Sequence, residues 1–236
     1  MIRPNFEFML EFLSDVVESG QFEGTKVLEI GSGATVHGIA SASRKYTSIV
    51  QSDYVLDNCE ELRKWHLGES TLDWTQFLEL VLSIDEKKGK PPITIPELES
   101  RIRTTVKRVV RGDLLSDQIL PLENLTPDTL PPYDLIICIL CVETVAQDKD
   151  SYGDILKRLN GLLRIGGGLV VCGYENGSPW IVEGHTFHHV KLSMADIKYA
   201  FVKAGFGIRE LKTLPKIESA YEYDYDNLFC IAAEKL

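Results

Sequence analysis

The chain is short of positive charge. It carries 25 lysines and arginines against 35 aspartates and glutamates, for a formal net charge of −10. With so few cations to neutralise phosphates, the composition argues against a general nucleic-acid or anionic-membrane surface and suits a cationic or neutral small substrate. Cysteine is sparse too: Cys59, Cys138, Cys141, Cys172 and Cys230 make an odd, scattered set. Three of them sit in apolar strand-like runs, where a reduced cysteine behaves as a small hydrophobe. Cys138 and Cys141 have zinc-ligand spacing, but no second pair and no close histidine pair accompanies them, so no metal is expected. Long apolar runs are missing as well. No segment reads as a membrane span or a secretory leader, which makes the cytoplasm the default location and leaves no reason to expect membrane attachment. No exposed apolar stripe stands out, and a monomer is the simplest expectation.

What is present fits one α/β domain across residues 1–236, at 44% hydrophobic and 25% charged. The chain is organised around KVLEIGSGATV at Lys26–Val36. An apolar run leads into Gly31-Ser32-Gly33, and a helix-like stretch is expected from Val36, so the segment reads as strand, glycine turn and helix N-terminus. The glycines allow close approach of backbone to a ligand. The third glycine of the dinucleotide fingerprint is absent, which disfavours an NAD-linked oxidoreductase. About twenty residues on, a second apolar strand, Ser48–Ser52, ends in Asp53-Tyr54, where an acid typically binds ribose hydroxyls. A plain turn-forming aspartate is the alternative.

Along the chain, Asn5–Ser19 reads as an amphipathic helix, and Ser41–Tyr46 as the end of the helix after the glycine turn. Further helices are expected at Asp57–His66, Trp74–Ser83, Leu98–Lys107, Tyr152–Leu163 and Ser193–Ala204, the last opened by the Ser193/Asp196 box. Lys87–Lys90 reads as a solvated loop. Strands are expected at Lys107–Arg111, Asp134–Leu140, Leu169–Cys172, Ile208–Leu214 and Leu228–Ala233, the last two antiparallel, with a hairpin over Pro179–Val190 turned at Glu183–Gly184. His188 and His189 read as hairpin residues, structural or exposed. This alternation predicts a doubly wound sheet with right-handed crossovers. Gly31–Gly33, Asp53, Asp113 and Cys138–Glu143 would then share the crevice at the strand ends. A ribose acid, together with a strand-end Asp113-Leu114 able to meet an adenine ring, suggests an adenosyl ligand; an Asp113 that merely ends a strand in a turn is the lesser alternative.

The segments EIGSGATVHG, SDYVLDNCEELRKW, the Asp73-Trp74 pair, RGDLL, LPPYDLIICILCVETV, LLRIGGGLVV and NLFCIAAEK occur in order across most of Lys26–Leu236. In these the chain resembles the small-molecule N-methyltransferase family that includes the nicotinamide, phenylethanolamine, indolethylamine and thioether methyltransferases. The resemblance implies a class I, Rossmann-like, mostly parallel seven-stranded sheet with an antiparallel C-terminal strand, extra helices between strands 2 and 3, and an added β-hairpin. It implies S-adenosyl-L-methionine as methyl donor, with S-adenosyl-L-homocysteine as product. Gly31, Ser32, Gly33 and Thr35 would line the methionine part, with His37 where relatives often carry tyrosine. Asp53 would take the ribose, with Tyr54 and Asn58 beside it; Asp113 and Leu114 would hold the adenine, and Ile139 would lie near the methionine tail. Glu143 matches a glutamate of amine-methylating relatives and would attract the ammonium and take its proton. Asp224 would join it in catalysis, and Glu175, Trp180 and Tyr221 would border the acceptor. Gly173 stands where the nicotinamide enzyme has an acid, which favours a small amine as acceptor over nicotinamide or another pyridine. The family's N-terminal lid with its spaced tyrosines has no counterpart in these residues, and a catalytically silent relative that binds the adenosyl cofactor or a partner protein is the competing expectation.

Overall fold

The computed structural model describes residues 3–182, 184–217 and 223–236. The chain runs α1 (Arg3–Ser19), β1 (Lys26–Ile30), β2 (Ser48–Asp53), α2 (Leu56–Leu67), α3 (Thr75–Lys87), α4 (Ile95–Thr105), β3 (Val106–Arg111), β4 (Tyr133–Ile139), α5 (Val142–Val145), α6 (Lys149–Leu162), β5 (Leu163–Glu175), β6 (Trp180–Val182), β7 (His185–Phe187), α7 (Met194–Lys203), β8 (Phe206–Pro215) and β9 (Asn227–Lys235). The seven-stranded sheet has the order β3-β2-β1-β4-β5-β9-β8. Its first five strands are parallel, and β9 runs antiparallel to both β5 and β8. The hairpin β6–β7 stands apart from this sheet.

The sheet is covered on both faces. Leu135 and Ile137 of β4 pack with α1, α3 and α4 residues such as Phe12, Leu78 and Ile102, while Ile136 and Cys138 pack with α6 and α7 residues such as Ile155 and Phe201. A strand buried on both faces has no polar side, which explains the unbroken apolar run. Helix starts follow their caps: Thr94 with Glu97 opens α4 and Ser193 with Asp196 opens α7, each as a reciprocal capping box.

The structure departs from the sequence expectation in three places. No α-helix follows the glycine turn; the chain goes through turns to a single 3₁₀ turn at Ala42–Arg44. Val36, Ile39 and Ala40, whose spacing mimics a helix, are buried by the turns themselves. The fifth strand begins at Leu163 and runs through Gly166-Gly167-Gly168, where a Cβ on Gly168 would overlap the Phe22 ring packed against it. The lysines of Lys87–Lys90 do not end in solvent alone: Lys87, Lys88 and Lys90 pair with Glu7, Asp15 and Glu18 along the α1 face. Exposed pairs of this kind contribute little each.

At the opposite end of the sheet from the crevice, Asp134 fastens three segments. Its Oδ2 accepts from the backbone N–H groups of Thr25 and Lys26 at 2.8 and 2.9 Å, and its Oδ1 from Arg164 Nε at 2.6 Å. Asp134→Ala removes all three partners, and urea unfolding should show a loss of about 2–3 kcal/mol. A loss within error of zero would mean that water replaces the carboxylate there.

Candidate active site

The parallel register brings the strand ends level: Ile30 sits beside Ser52, Asp53 beside Arg111, and Ile139 beside Cys172. Gly31 and Gly33 turn the chain at φ +72° and +59°, the left-handed region that glycine enters without steric cost. At Gly31 a side chain would also collide with Cys141. The turn is tied to the second strand: Ser32 N–H donates to Ser52 O at 3.0 Å, and Gly33 N–H to Asp53 Oδ2 at 2.7 Å. Asp53 Oδ1 accepts from Val55 N–H at 2.9 Å and Asn58 Nδ2 at 3.0 Å. A carboxylate offers about four lone-pair positions, so Asp53 keeps one, on Oδ2, for a ligand hydroxyl. Asn58 thus acts on Asp53. Tyr54 lies beside it, half exposed, with the Arg111 guanidinium 4.6 Å above its ring.

Thr35 folds its hydroxyl back onto Ser32 O at 2.8 Å. His37 is 8% exposed and stacks on Phe77 at 4.6 Å, with Phe6 and Trp74 around it. Burial pushes its imidazole down to about 4, so it is neutral at physiological pH. Its Nδ1 and the indole Nε1 of Trp74 are both buried without a partner among the described residues. Ile139 reaches toward Gly38 at the far side of this loop. Asp113 turns its Oδ1 onto Leu115 N–H at 2.9 Å, an Asx-type turn that leaves the other oxygen open, and Leu114 packs its side chain into the core.

Glu29, which the sequence reading did not select, is a buried acid under this loop. Burial raises its carboxyl to about 7 against the opposing hydrogen bond from Gln51 at 2.7 Å. Gln51 in turn meets His66 Nε2 at 2.7 Å, and His66 is held neutral, at about 4, chiefly by burial. The pattern E-x-G at Glu29–Gly31 was the available signal.

Glu143 stands across the crevice at 1% exposure. It lies over Gly173, where any Cβ would overlap its carboxylate. Its Oε1 takes one long bond, 3.3 Å, from Tyr174 N–H, and its Oε2 has no partner among the described residues. Burial raises it to about 7. Around it come Tyr174, Tyr223 and Tyr225, with ring centroids 4.5 to 5.6 Å apart, and His189 6.0 Å from Tyr223. Glu143 holds the phenols of Tyr174 and Tyr223 further above their ordinary range, after burial itself. His189, expected as a hairpin residue, is 5% exposed, its imidazole held near 4 first by burial. Asn5 of α1 donates to the hydroxyls of Tyr174 and Tyr225, both at 3.3 Å.

Several expected acceptor residues lie elsewhere. Asp224 points outward, its side chain 85% exposed and paired with Lys216 at 2.6 Å, which lowers its carboxyl; its neighbour Tyr223 is the one that faces Glu143. Glu175 spends its two oxygens on Met194 N–H at 2.8 Å and Asn227 Nδ2 at 2.7 Å, fixing the start of α7. Trp180 stacks on Phe187 at 4.6 Å within the hairpin and is 38% exposed. Tyr221 and the turn residue Glu183 lie outside the described residues. Among the described residues no group of His, Cys, Asp and Glu could hold a metal ion, and no helix is long and apolar enough to cross a membrane.

Two buried acids raised to about 7 make folding pH-dependent. An acid whose folded value exceeds its unfolded one binds more protons when folded, so stability is fully present below the unfolded value and is lost as pH rises through the folded one. Ligand-free stability should therefore fall between about pH 5 and pH 7, and Glu143→Gln should flatten the slope. Denaturant titrations at fixed ionic strength check this; identical slopes would place Glu143 in water.

Comparison with known proteins places the whole chain. The chain is 32% identical to the indolethylamine N-methyltransferase of Oryctolagus cuniculus over 91% of its length and 78% of that protein. It is 29% identical to the nicotinamide N-methyltransferase of Homo sapiens over the same shares. A crystal structure of an S-adenosylmethionine-dependent methyltransferase from Methanosarcina mazei superposes with a TM-score of 0.59 at 12% identity, covering 91% of this chain and 93% of that one, which shows the shared fold. The NNMT/PNMT/TEMT family matches residues 3–236, and the chain belongs to this family of S-adenosylmethionine-dependent small-molecule N-methyltransferases.

Proposed function

We propose that the protein methylates the nitrogen of a small amine that arrives as a cation. The observation that carries this is Glu143: a carboxylate buried at 1% exposure, with one oxygen unpartnered and one long backbone bond on the other. A buried charge needs a counter-charge, and an ammonium ion supplies it. A neutral pyridine would not.

The residues across the crevice fit the adenosyl donor, which when bound supplies an electrophilic methyl on a sulfonium. Asp53 keeps an acceptor position for a ribose hydroxyl, and the side-chain-free surface of Gly31 and Gly33 admits the ligand's arm. The unpartnered Trp74 Nε1–H, joined by His37 Nδ1 in the tautomer that protonates it, is suited to the carboxylate of a methionine tail. On the acceptor side, ionised Glu143 pairs with the ammonium, and the tyrosine wall gives the cation an aromatic face. An amine attacks only with its lone pair free. Glu143, at about 7 before the ammonium binds, takes the proton at its free oxygen and holds it there while the amine reacts.

A labelled-donor screen over amines, pyridines and thioethers tests this; turnover confined to pyridines or thioethers, or absent throughout, would refute it. Glu143→Gln should lower kcat on an amine by about 10²–10⁴ while leaving S-adenosylhomocysteine affinity unchanged. Trp74→Phe should weaken binding of S-adenosylhomocysteine, by about 0.5–1.5 kcal/mol, but not of methylthioadenosine, which lacks the carboxylate. Equal losses for both compounds, read by calorimetry, would place the carboxylate elsewhere.

A further inference from the structure

We propose that Cys138 and Cys141 are an oxidation site: they join in a reversible disulfide that disables the cleft. All five cysteines are free thiols. Cys138, at the end of β4, is fully buried, whereas Cys141 is only half-buried. Between them Leu140 is at φ +52°, a left-handed conformation that a bulky side chain rarely adopts. That kink turns the chain from β4 into the start of α5, and both cysteines pack into the same core on the α6–α7 side of the sheet. The Cys138 thiol is held above its ordinary range first by the adjoining Cys141 thiol, then by burial and by Glu143. On its other side Cys141 fills the space over Gly31.

The pair opposite each other on β5 and β9, Cys172 and Cys230, offers a contrast. They are register partners, but both are 0% exposed and enclosed by the core, so an oxidant has no path to them. Only the pair at the crevice combines a neighbouring thiol with access from solvent.

A hydroperoxide supplies the oxidising equivalents. The Cys141 thiolate attacks the O–O bond, giving a sulfenic acid and releasing an alcohol, or water when the oxidant is hydrogen peroxide. The Cys138 sulfur then attacks the Cys141 sulfur; the S–O bond breaks, the oxygen leaves as water with the Cys138 proton, and the S–S bond forms. Two thiols lose two electrons and the peroxide gains them; a small dithiol reverses the change by exchange. Drawing Cys141 toward Cys138 takes its side chain off the glycine turn. It also moves the start of α5, and with it Glu143 two residues on.

The loss of activity rests on the methyl-transfer function; the disulfide itself does not. The full chain is treated with graded hydrogen peroxide, alkylated and digested, and the peptide holding both cysteines is weighed. The expected result is a peptide lighter by two hydrogens and closed to alkylation, in step with a roughly tenfold or larger fall in methyl transfer, both restored by dithiothreitol. Cys138→Ser should keep basal activity, form no such bond, and lose the reversible component. A peptide that stays alkylatable while other cysteines react would overturn the proposal, as would a disulfide that leaves methyl transfer and S-adenosylhomocysteine affinity unchanged. Absence of turnover in untreated protein would instead refute the function, and the peptide mass with the affinity measurement still decides the disulfide.

Discussion

The register of the parallel ladder decides where chemistry can occur in this molecule. Because β1, β2, β3, β4 and β5 point the same way and Ile30 stands level with Ser52, and Ile139 with Cys172, the residues just past each strand meet at one edge. Those residues are Gly31, Tyr54, Gly112 and Leu140, with Glu143 following in α5 and Gly173 near the end of β5. A shift of one residue would turn each strand's core side chains to the other face of a sheet that is buried on both. Packing against the two helical layers therefore fixes the crevice as firmly as it fixes the core.

Within that frame the glycine turn is held in an unusual manner. With no α-helix behind it, the turn has no helix N-terminus to attract a ligand, and the expectation of an anion-binding helix end fails. Its shape comes instead from the second strand, through Ser52 O and the Asp53 carboxylate. Asp53 is accordingly a structural clamp before it is a ligand group: three of its acceptor positions are used by the protein. What it offers a ribose is one strong acceptor on a rigid mount.

The strands were legible because doubly buried strands leave unbroken apolar runs, and α7 because the Ser193/Asp196 box has a fixed spacing, whereas the Thr94/Glu97 box of α4 went unread and that helix was expected only from Leu98. Gly31, Asp53 and Glu143 were legible because strand-end chemistry follows from topology, with Glu143 singled out by family resemblance. The helix after the glycine turn was misread because Val36, Ile39 and Ala40 have helical spacing yet are buried by turns. In the YEYDYD run the reading picked Asp224, but the alternation runs the other way: Tyr223 and Tyr225 turn inward, while Asp224 pairs with Lys216 and Asp226 with Asn176. Burying phenols and solvating acids is the cheaper choice, so parity was available as a signal. The unpartnered nitrogens of His37 and Trp74 were not, since local sequence does not report what a donor lacks.

The position of the acid at the acceptor side is itself informative. Gly173 leaves room that the Glu143 carboxylate fills, so residues 143 and 173 cannot both carry a side chain there. An acid rooted at 173 would project from the rigid sheet, whereas Glu143 reaches the same place from the short helix α5, whose backbone oxygen at 143 is fixed by Val190 N–H at 2.8 Å. Moving a carboxyl from 4.5 to about 7 corresponds to roughly 3 kcal/mol against ionisation. Few protein contacts offset it, since among the described residues no cation hydrogen-bonds to the carboxylate. On the amine reading proposed above, such a site discriminates by charge: a ligand that brings a cation recovers the penalty, and one that does not leaves it standing.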